Sequence, residues 1–307
     1  MKKSRLSELE AKTQRLEAKA QVRQEQRLQR ILDGDIIELV KDQSTFPEYA
    51  MDPLLPFDFK LWRFTPANGI NPDEYSNTDS ITSLQESLKK MPPDWKYRNK
   101  KVTYKLNSNG FRTYEWKDVN WKDAIVLIGC SNTFGVGVSD DETIAYELEQ
   151  LTGRQVVNLG IPSASNELLL HTAALLLERF DRPHAIAVNW TACDRFRYFE
   201  FEGYWQIGLW NAFNVTGKRE ETLLKLYQYR NTDIYNENMS TYYTAKSFKQ
   251  LCKDRVPLVE FSYFPAAARF TRSTYFKFTC NARDLIHPGH LDHCRVAEYI
   301  HKKLLDK

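Results

Sequence analysis

Ser131, Asp284 and His287 are the residues whose types and settings suit acyl transfer. Ser131 stands just past an apolar run that ends at Gly129, and the other two share the hexapeptide Asp284-Leu285-Ile286-His287-Pro288-Gly289 near the other end of the chain. A serine hydroxyl is a weak nucleophile until a base takes its proton. Imidazole serves as that base only when a further group fixes its tautomer and stabilises the imidazolium. An aspartate three residues before the histidine can do this within one turn of chain. Taken singly, each signal has a plainer reading: small polar residues are common after strands, and Asp284 could cap the last helix while His287 lies on the surface.

Such residues need a frame that brings them to one place. AIVLIG (124–129) is a short apolar run bounded by glycine, which predicts a strand buried on both faces, with a helix following from about Asp141. The pattern repeats in QVVNLG (155–160) with a helix over 167–180, in AIAVNWT (185–191), and in PLVEFSYF (257–264) with a helix over 291–305. Strands alternating with helices predict an α/β fold with a central parallel sheet and helices on both faces. In such sheets ligands bind beyond the carboxyl ends of the strands, and Ser131 falls there. The stretch 194–253 interrupts the rhythm and reads as an insertion around a helix near 220–230. Its aromatics Tyr198, Phe199, Phe201, Tyr204, Trp205 and Trp210 form either a sugar-stacking lid or the packing of that insertion.

The first hundred residues read differently. Residues 1–33 lack proline and glycine apart from the boundary at Gly34 and favour a polar helical arm. That arm is either a solvated helix or tail, or a docking arm for self-association or a larger assembly. Prolines 47, 53, 56, 66 and 72 then punctuate an irregular connector over 34–100, with Phe57, Phe59, Trp62 and Phe64 as aromatic anchors. Over 101–116 a short strand, a turn at Asn109-Gly110 and a return are expected, opening a domain that runs over 101–307.

Composition narrows the function. With 42% hydrophobic and 27% charged residues the chain reads as globular and soluble. A net charge of +3 gives no electrostatic footprint for nucleic acid. No apolar run is long enough to span a bilayer, and the charged start (MKKSRLSELEAK) is unlike a secretory signal, so synthesis in the cytoplasm is expected. The cysteines, five in number and without paired spacings, suggest neither a disulfide framework nor a zinc site. His290 and His293, with Asp292 nearby, invite a metal reading, but a solvated helix start explains them better and no metal or cofactor is expected.

Beside this reading stands a resemblance. IGCSNTFGVG (128–137) resembles the first block of SGNH, or GDSL-like, hydrolases; VNLGIPSASN (157–166) resembles the second, and DLIHPG (284–289) the last. The resemblance implies a flavodoxin-like three-layer sandwich and a Ser131–His287–Asp284 triad. It implies an oxyanion hole using the N–H groups of Ser131 and Gly160. Cys130 replaces the aspartate of the family pattern; Cys130 as nucleophile is the minor alternative. The third block, Gly-x-Asn-Asp in the family, is replaced by VNWTACDR (188–195), so Asn189 or Thr191 is the candidate for the remaining donor. The pattern is similar to a branch found in tailed phages and bacteria; Arg112 and Arg195 could then hold an anionic or carbohydrate group near the serine, although the plainer reading is that they are surface or structural arginines. It implies an esterase acting on a small acyl ester or acylated glycan through an acyl-serine. The alternative is a structural or attachment component of an assembly, such as a virion, with the same fold and little turnover.

Overall fold

The computed structural model of the chain describes residues 79–200, 203–209, 218–232 and 234–306. In chain order these form α1 (Ile81–Lys90), β1 (Ile125–Gly129), α2 (Ser131–Phe134), α3 (Ile144–Thr152), β2 (Val156–Gly160), α4 (Asn166–Arg179) and β3 (Ala185–Trp190). There follow β4 (Phe196–Glu200), β5 (Gly203–Ile207), α5 (Lys218–Arg230), α6 (Ile234–Cys252), β6 (Leu258–Ser262), α7 (Pro265–Thr271), β7 (Thr274–Tyr275) and α8 (His290–Leu305). The central sheet has the order β2-β1-β3-β6-β7, and every neighbouring pair in it is parallel. This is an α/β three-layer sandwich with a flavodoxin-like strand order.

The two-faced burial of the strands follows from their sequence. All five residues of β1 are buried. Val126 and Ile128 pack with Leu168, Leu169 and Leu176 of α4 and with Phe248 of α6. Ile125 and Leu127 point the other way, toward Ile144 and Leu148 of α3 and Val296 and Ile300 of α8. Period-2 alternation in an all-apolar run therefore feeds two cores, and each such side chain contributes roughly 1.5–3 kcal/mol by leaving water. Ser165 starts α4 by accepting the Leu168 N–H at 3.4 Å, and Gly153 ends α3 in the left-handed region at φ 65°.

Three sequence expectations change. Over 101–116 the turn forms, with the Gly110 N–H bonded to the Asn107 carbonyl at 2.9 Å, but no regular strand flanks it. The Asn107 side chain accepts from the N–H groups of Asn109 (3.0 Å) and Phe111 (2.9 Å), which replaces a ladder locally. The end of the connector contains α1, for which there is room because no proline lies between Pro72 and Pro92. The stretch 194–253 is only partly an insertion. β4 and β5 form a separate two-stranded antiparallel sheet, but α6 covers the central sheet with Ala245, Phe248 and Cys252 and is the crossover helix into β6. The arm at 1–33, the anchors Phe57, Phe59, Trp62 and Phe64, and Phe201 and Trp210 lie outside the described residues, as do the side chains of Tyr198, Phe199, Tyr204 and Trp205. Among the described residues no helix is long and apolar enough to cross a membrane.

Candidate active site

From β1 the chain crosses to β2 on one side and later returns to β3 on the other, so the loops leaving β1 and β3 diverge. A crevice at the carboxyl ends of the strands is the consequence, and Ser131, the first residue of α2, stands beside it. Both neighbouring strands hold α2 in place. Asn158 donates from Nδ2 to the Thr133 carbonyl at 3.0 Å, and Asn189 donates from Nδ2 to Thr133 Oγ1 at 3.0 Å. Gly160 is required by proximity: a Cβ there would overlap the backbone nitrogen of Phe134.

Asp284 and His287 occupy a closed loop between Cys280 and Gly289. The Ala282 N–H bonds the His287 carbonyl at 2.9 Å, and the Gly289 N–H bonds the Cys280 carbonyl at 3.1 Å. Within it Leu285 is left-handed, with φ 59°, a conformation that costs a non-glycine residue roughly 1–2 kcal/mol. That bend lets Asp284 Oδ1 accept the N–H groups of Ile286 and His287, each at 3.1 Å, while Oδ2 lies 2.6 Å from His287 Nδ1. The imidazole is thus fixed with Nδ1 toward the carboxylate and Nε2 away from it.

A buried network docks this loop on the segment that follows Ser131. The Arg283 N–H donates to the Gly137 carbonyl at 2.9 Å. Its guanidinium grips Asp79 through Nε (2.8 Å) and Nη2 (2.7 Å), and Asp79 also accepts from the Tyr104 hydroxyl at 2.5 Å. The Tyr104 hydroxyl in turn accepts the Gly137 N–H at 2.8 Å. Gly137 has φ 79°, and a Cβ there would meet Ala282 Cβ, so only glycine permits the approach. Neither Asp79 nor Arg283 carried a sequence signal, because nothing local reveals a pair separated by 204 residues.

Ser131, Asp284 and His287 are 8%, 5% and 7% exposed, so each is shielded but not sealed. Among the described residues the Ser131 hydroxyl has no hydrogen-bond partner, nor has Nε2 of His287, and the bond between them is not formed here. Catalytic hydrogen bonds often tighten only when substrate is present. Burial pushes the Asp284 carboxyl up, but the His287 contact and the backbone N–H groups of Ile286 and His287 outweigh it, leaving Asp284 below the ordinary carboxylate range.

Similar chains of known structure are GDSL and SGNH hydrolases. One is described as a lipolytic protein of the G-D-S-L family from Desulfitobacterium hafniense DCB-2; it is 15% identical, with a TM-score of 0.32, and the match covers 59% of this chain and 99% of that one. Another is the psychrotrophic esterase EstA from Pseudoalteromonas sp., at 17% identity and a TM-score of 0.31, covering 61% of this chain and 100% of that one. A third is AlinE4, an SGNH-hydrolase family esterase, at 12% identity and a TM-score of 0.27, covering 50% of this chain and 75% of that one. No family model matches the sequence, and no curated protein does.

Several residues expected at the site are committed elsewhere. The Gly160 N–H donates to Asn158 Oδ1 at 2.9 Å, so it does not face the crevice as a free donor. Asn189 is wholly buried beneath Thr133, and Thr191 is buried with its N–H on Asn166 Oδ1 at 2.9 Å. The Arg112 guanidinium is committed to Asp140 and to the carbonyls of Thr103, Phe134, Gly135 and Val138. Arg195 donates to Thr191 Oγ1 at 2.7 Å and lies over the Phe264 ring. Cys130 is fully buried, which leaves its thiol no route to a substrate. Asp292 binds the Thr279 and Cys280 N–H groups, and His293 donates from Nδ1 to the Glu142 carbonyl at 2.8 Å, so neither shares a ligand set with His290.

Ser163 is the residue the sequence concealed. It lies in the loop after β2 with φ 65°, and its N–H has no partner among the described residues. Glycine would have announced that conformation; serine did not. Left-handed non-glycine residues concentrate at binding and catalytic loops.

Proposed function

We propose that this chain is a serine hydrolase of the SGNH type, in which Ser131 attacks an acyl carbon, His287 takes the hydroxyl proton and Asp284 holds and balances the imidazolium. The single observation that carries this reading is the 2.6 Å contact between Asp284 and His287 Nδ1, on a loop tied to the segment that follows Ser131. In the first half-reaction, Nε2 receives the Ser131 proton and returns it to the departing alkoxide; in the second, it activates water against the acyl-serine.

The developing oxyanion is received by backbone N–H groups, that of Ser131 and that of Ser163, since the Gly160 N–H is already bonded and the Asn189 amide is wholly buried. We assign the substrate to small acyl esters and place acetylated carbohydrate among them. The experiment is turnover of short-chain nitrophenyl esters and acetylated sugars by the full chain and by Ser131→Ala. Hydrolysis that disappears with Ser131→Ala supports the reading. Equal rates for the two proteins, or none for either, would refute it in favour of an attachment component with the same fold.

A further inference from the structure

His290 and Cys294 stand one turn apart on α8, and Glu147 stands on α3, the helix packed against it. Their ligand atoms, an imidazole nitrogen, a sulfur and a carboxylate oxygen, all lie within 4.8 Å of one another. His290 Nε2 is 2.7 Å from Glu147 Oε1, and Nδ1 on the far side of the same ring is 3.8 Å from Glu142 Oε1. We propose that Glu147, His290 and Cys294 form a binding site for a zinc-like divalent cation that clips the start of α8 to α3.

The donor set selects the ion. Thiolate and imidazole together favour borderline or soft cations and disfavour magnesium and calcium, which take oxygen ligands. Zinc bonds of ~2.0–2.3 Å place tetrahedral ligand atoms about 3.3–3.7 Å apart, so side-chain adjustments of about an ångström close the site. All three residues are half-buried, which leaves the fourth position to water. A carboxylate behind the non-ligating nitrogen is the usual companion of a metal-bound histidine, and Glu142 stands there, fixed by Lys96 and Lys100 at 2.8 Å each. Entry of the ion releases the Cys294 thiol proton and displaces the proton that Nε2 shares with Glu147, so that the neutral imidazole carries its one proton on Nδ1, facing Glu142.

Without a cation the trio is a hydrogen-bonded chain in which burial and Glu147 push the Cys294 thiol up to about 11. A dication reverses that balance, because it stabilises thiolate and carboxylate side by side. The site adjoins the triad loop, since His290 is three residues beyond His287, but it supplies no group to the reaction. The proposal therefore stands whether or not the chain is a hydrolase.

The test is titration of the reduced full chain with cadmium and with zinc, following the sulfur-to-metal charge-transfer band and the melting temperature. One ion per chain is expected, with the band lost in Cys294→Ser and binding weakened at least about tenfold in His290→Gln and in Glu147→Gln. Cys280→Ser should keep the band, because Cys280 lies apart, against Asp292. Absence of a band in the unaltered chain overturns the proposal, and so does a band that survives Cys294→Ser. Should Cys294→Ser fail to fold, undiminished affinity in both His290→Gln and Glu147→Gln overturns it equally.

Discussion

The loop over 280–289 and the end of β3 both bring buried polar side chains to the carboxyl edge of the sheet, but they commit them differently. In the loop, Asp284 gives both oxygens to local partners and in doing so turns His287 so that Nε2 keeps its lone pair or proton for something else. At the end of β3, Asn189 donates to Thr133 and its Oδ1, though unpaired among the described residues, is sealed from solvent, while Thr191 is bonded to Asn166 and Arg195. One cluster orients a group with capacity left over. The other stitches strand to helix. What makes a polar cluster chemically competent is an unengaged atom that a substrate can reach, and residue type alone does not reveal that atom.

The largest effect should come from the loop. Asp284→Asn keeps the shape but removes the charge and favours the wrong tautomer, so ester turnover should fall roughly 10⁴-fold with the far-UV circular dichroism unchanged. A loss below tenfold would mean that Asp284 acts only as a loop staple, which would erase the contrast drawn with β3.

Next in size is the buried pair that docks the loop. Arg283→Leu strands Asp79, which is wholly buried, and should cost about 3–5 kcal/mol in urea unfolding. The double variant Asp79→Leu/Arg283→Leu should recover part of that loss while leaving turnover depressed. If the double variant is no more stable than the single one, the charge pair is not what the loop depends on.

Acid should then loosen the contact between α8 and the segment before α3. His293 is held neutral by burial, its value lowered from 6.5 to about 4. The folded state therefore resists a proton that the unfolded state accepts, and stability present above pH 6.5 is lost as pH falls toward 4. Glu142 titrates lower. Burial alone would raise it, but Lys100, Lys96 and the Ser139 N–H bring it from 4.5 to about 2, so its contribution is lost as pH falls from 4.5 toward 2. Each is worth on the order of 2–3 kcal/mol. Urea midpoints measured across this range should fall in two stages, and His293→Gln should flatten the upper one; an unchanged slope between pH 6.5 and 4 would contradict the assignment.

The smallest effect belongs to β3. Asn189→Ala removes one buried hydrogen bond and should cost about 1–2 kcal/mol of stability, with turnover reduced less than tenfold. A loss of ~10²–10³ in turnover would instead mark Asn189 as an oxyanion donor and collapse the distinction between the two clusters.

The same distinction explains what was legible in the sequence. The strands β1, β2, β3 and β6 announced themselves because each is a short apolar run bounded by polar or glycine-containing loops, and burial on both faces demands that composition. The placement of Ser131 at a strand end, and of Asp284 within reach of His287, followed from local spacing. Gly160 and Asn189 misled because their residue types fit the expected roles, while the Gly160 N–H is taken by Asn158 and the Asn189 amide is wholly buried against Thr133; Arg112 is the structural arginine that its plainer reading expected. The Asp79–Arg283 pair, the crossover role of α6 and the left-handed Ser163 were invisible, since each depends on contacts or backbone angles set by the assembled sheet.

The most direct measurement of the central claim is intact-mass analysis of the full chain after treatment with a fluorophosphonate, followed by peptide mapping. A single adduct on Ser131, formed at a rate that drops by orders of magnitude in His287→Ala, is the result predicted. An adduct formed equally fast without the imidazole, or none on Ser131 at any probe concentration, would contradict it.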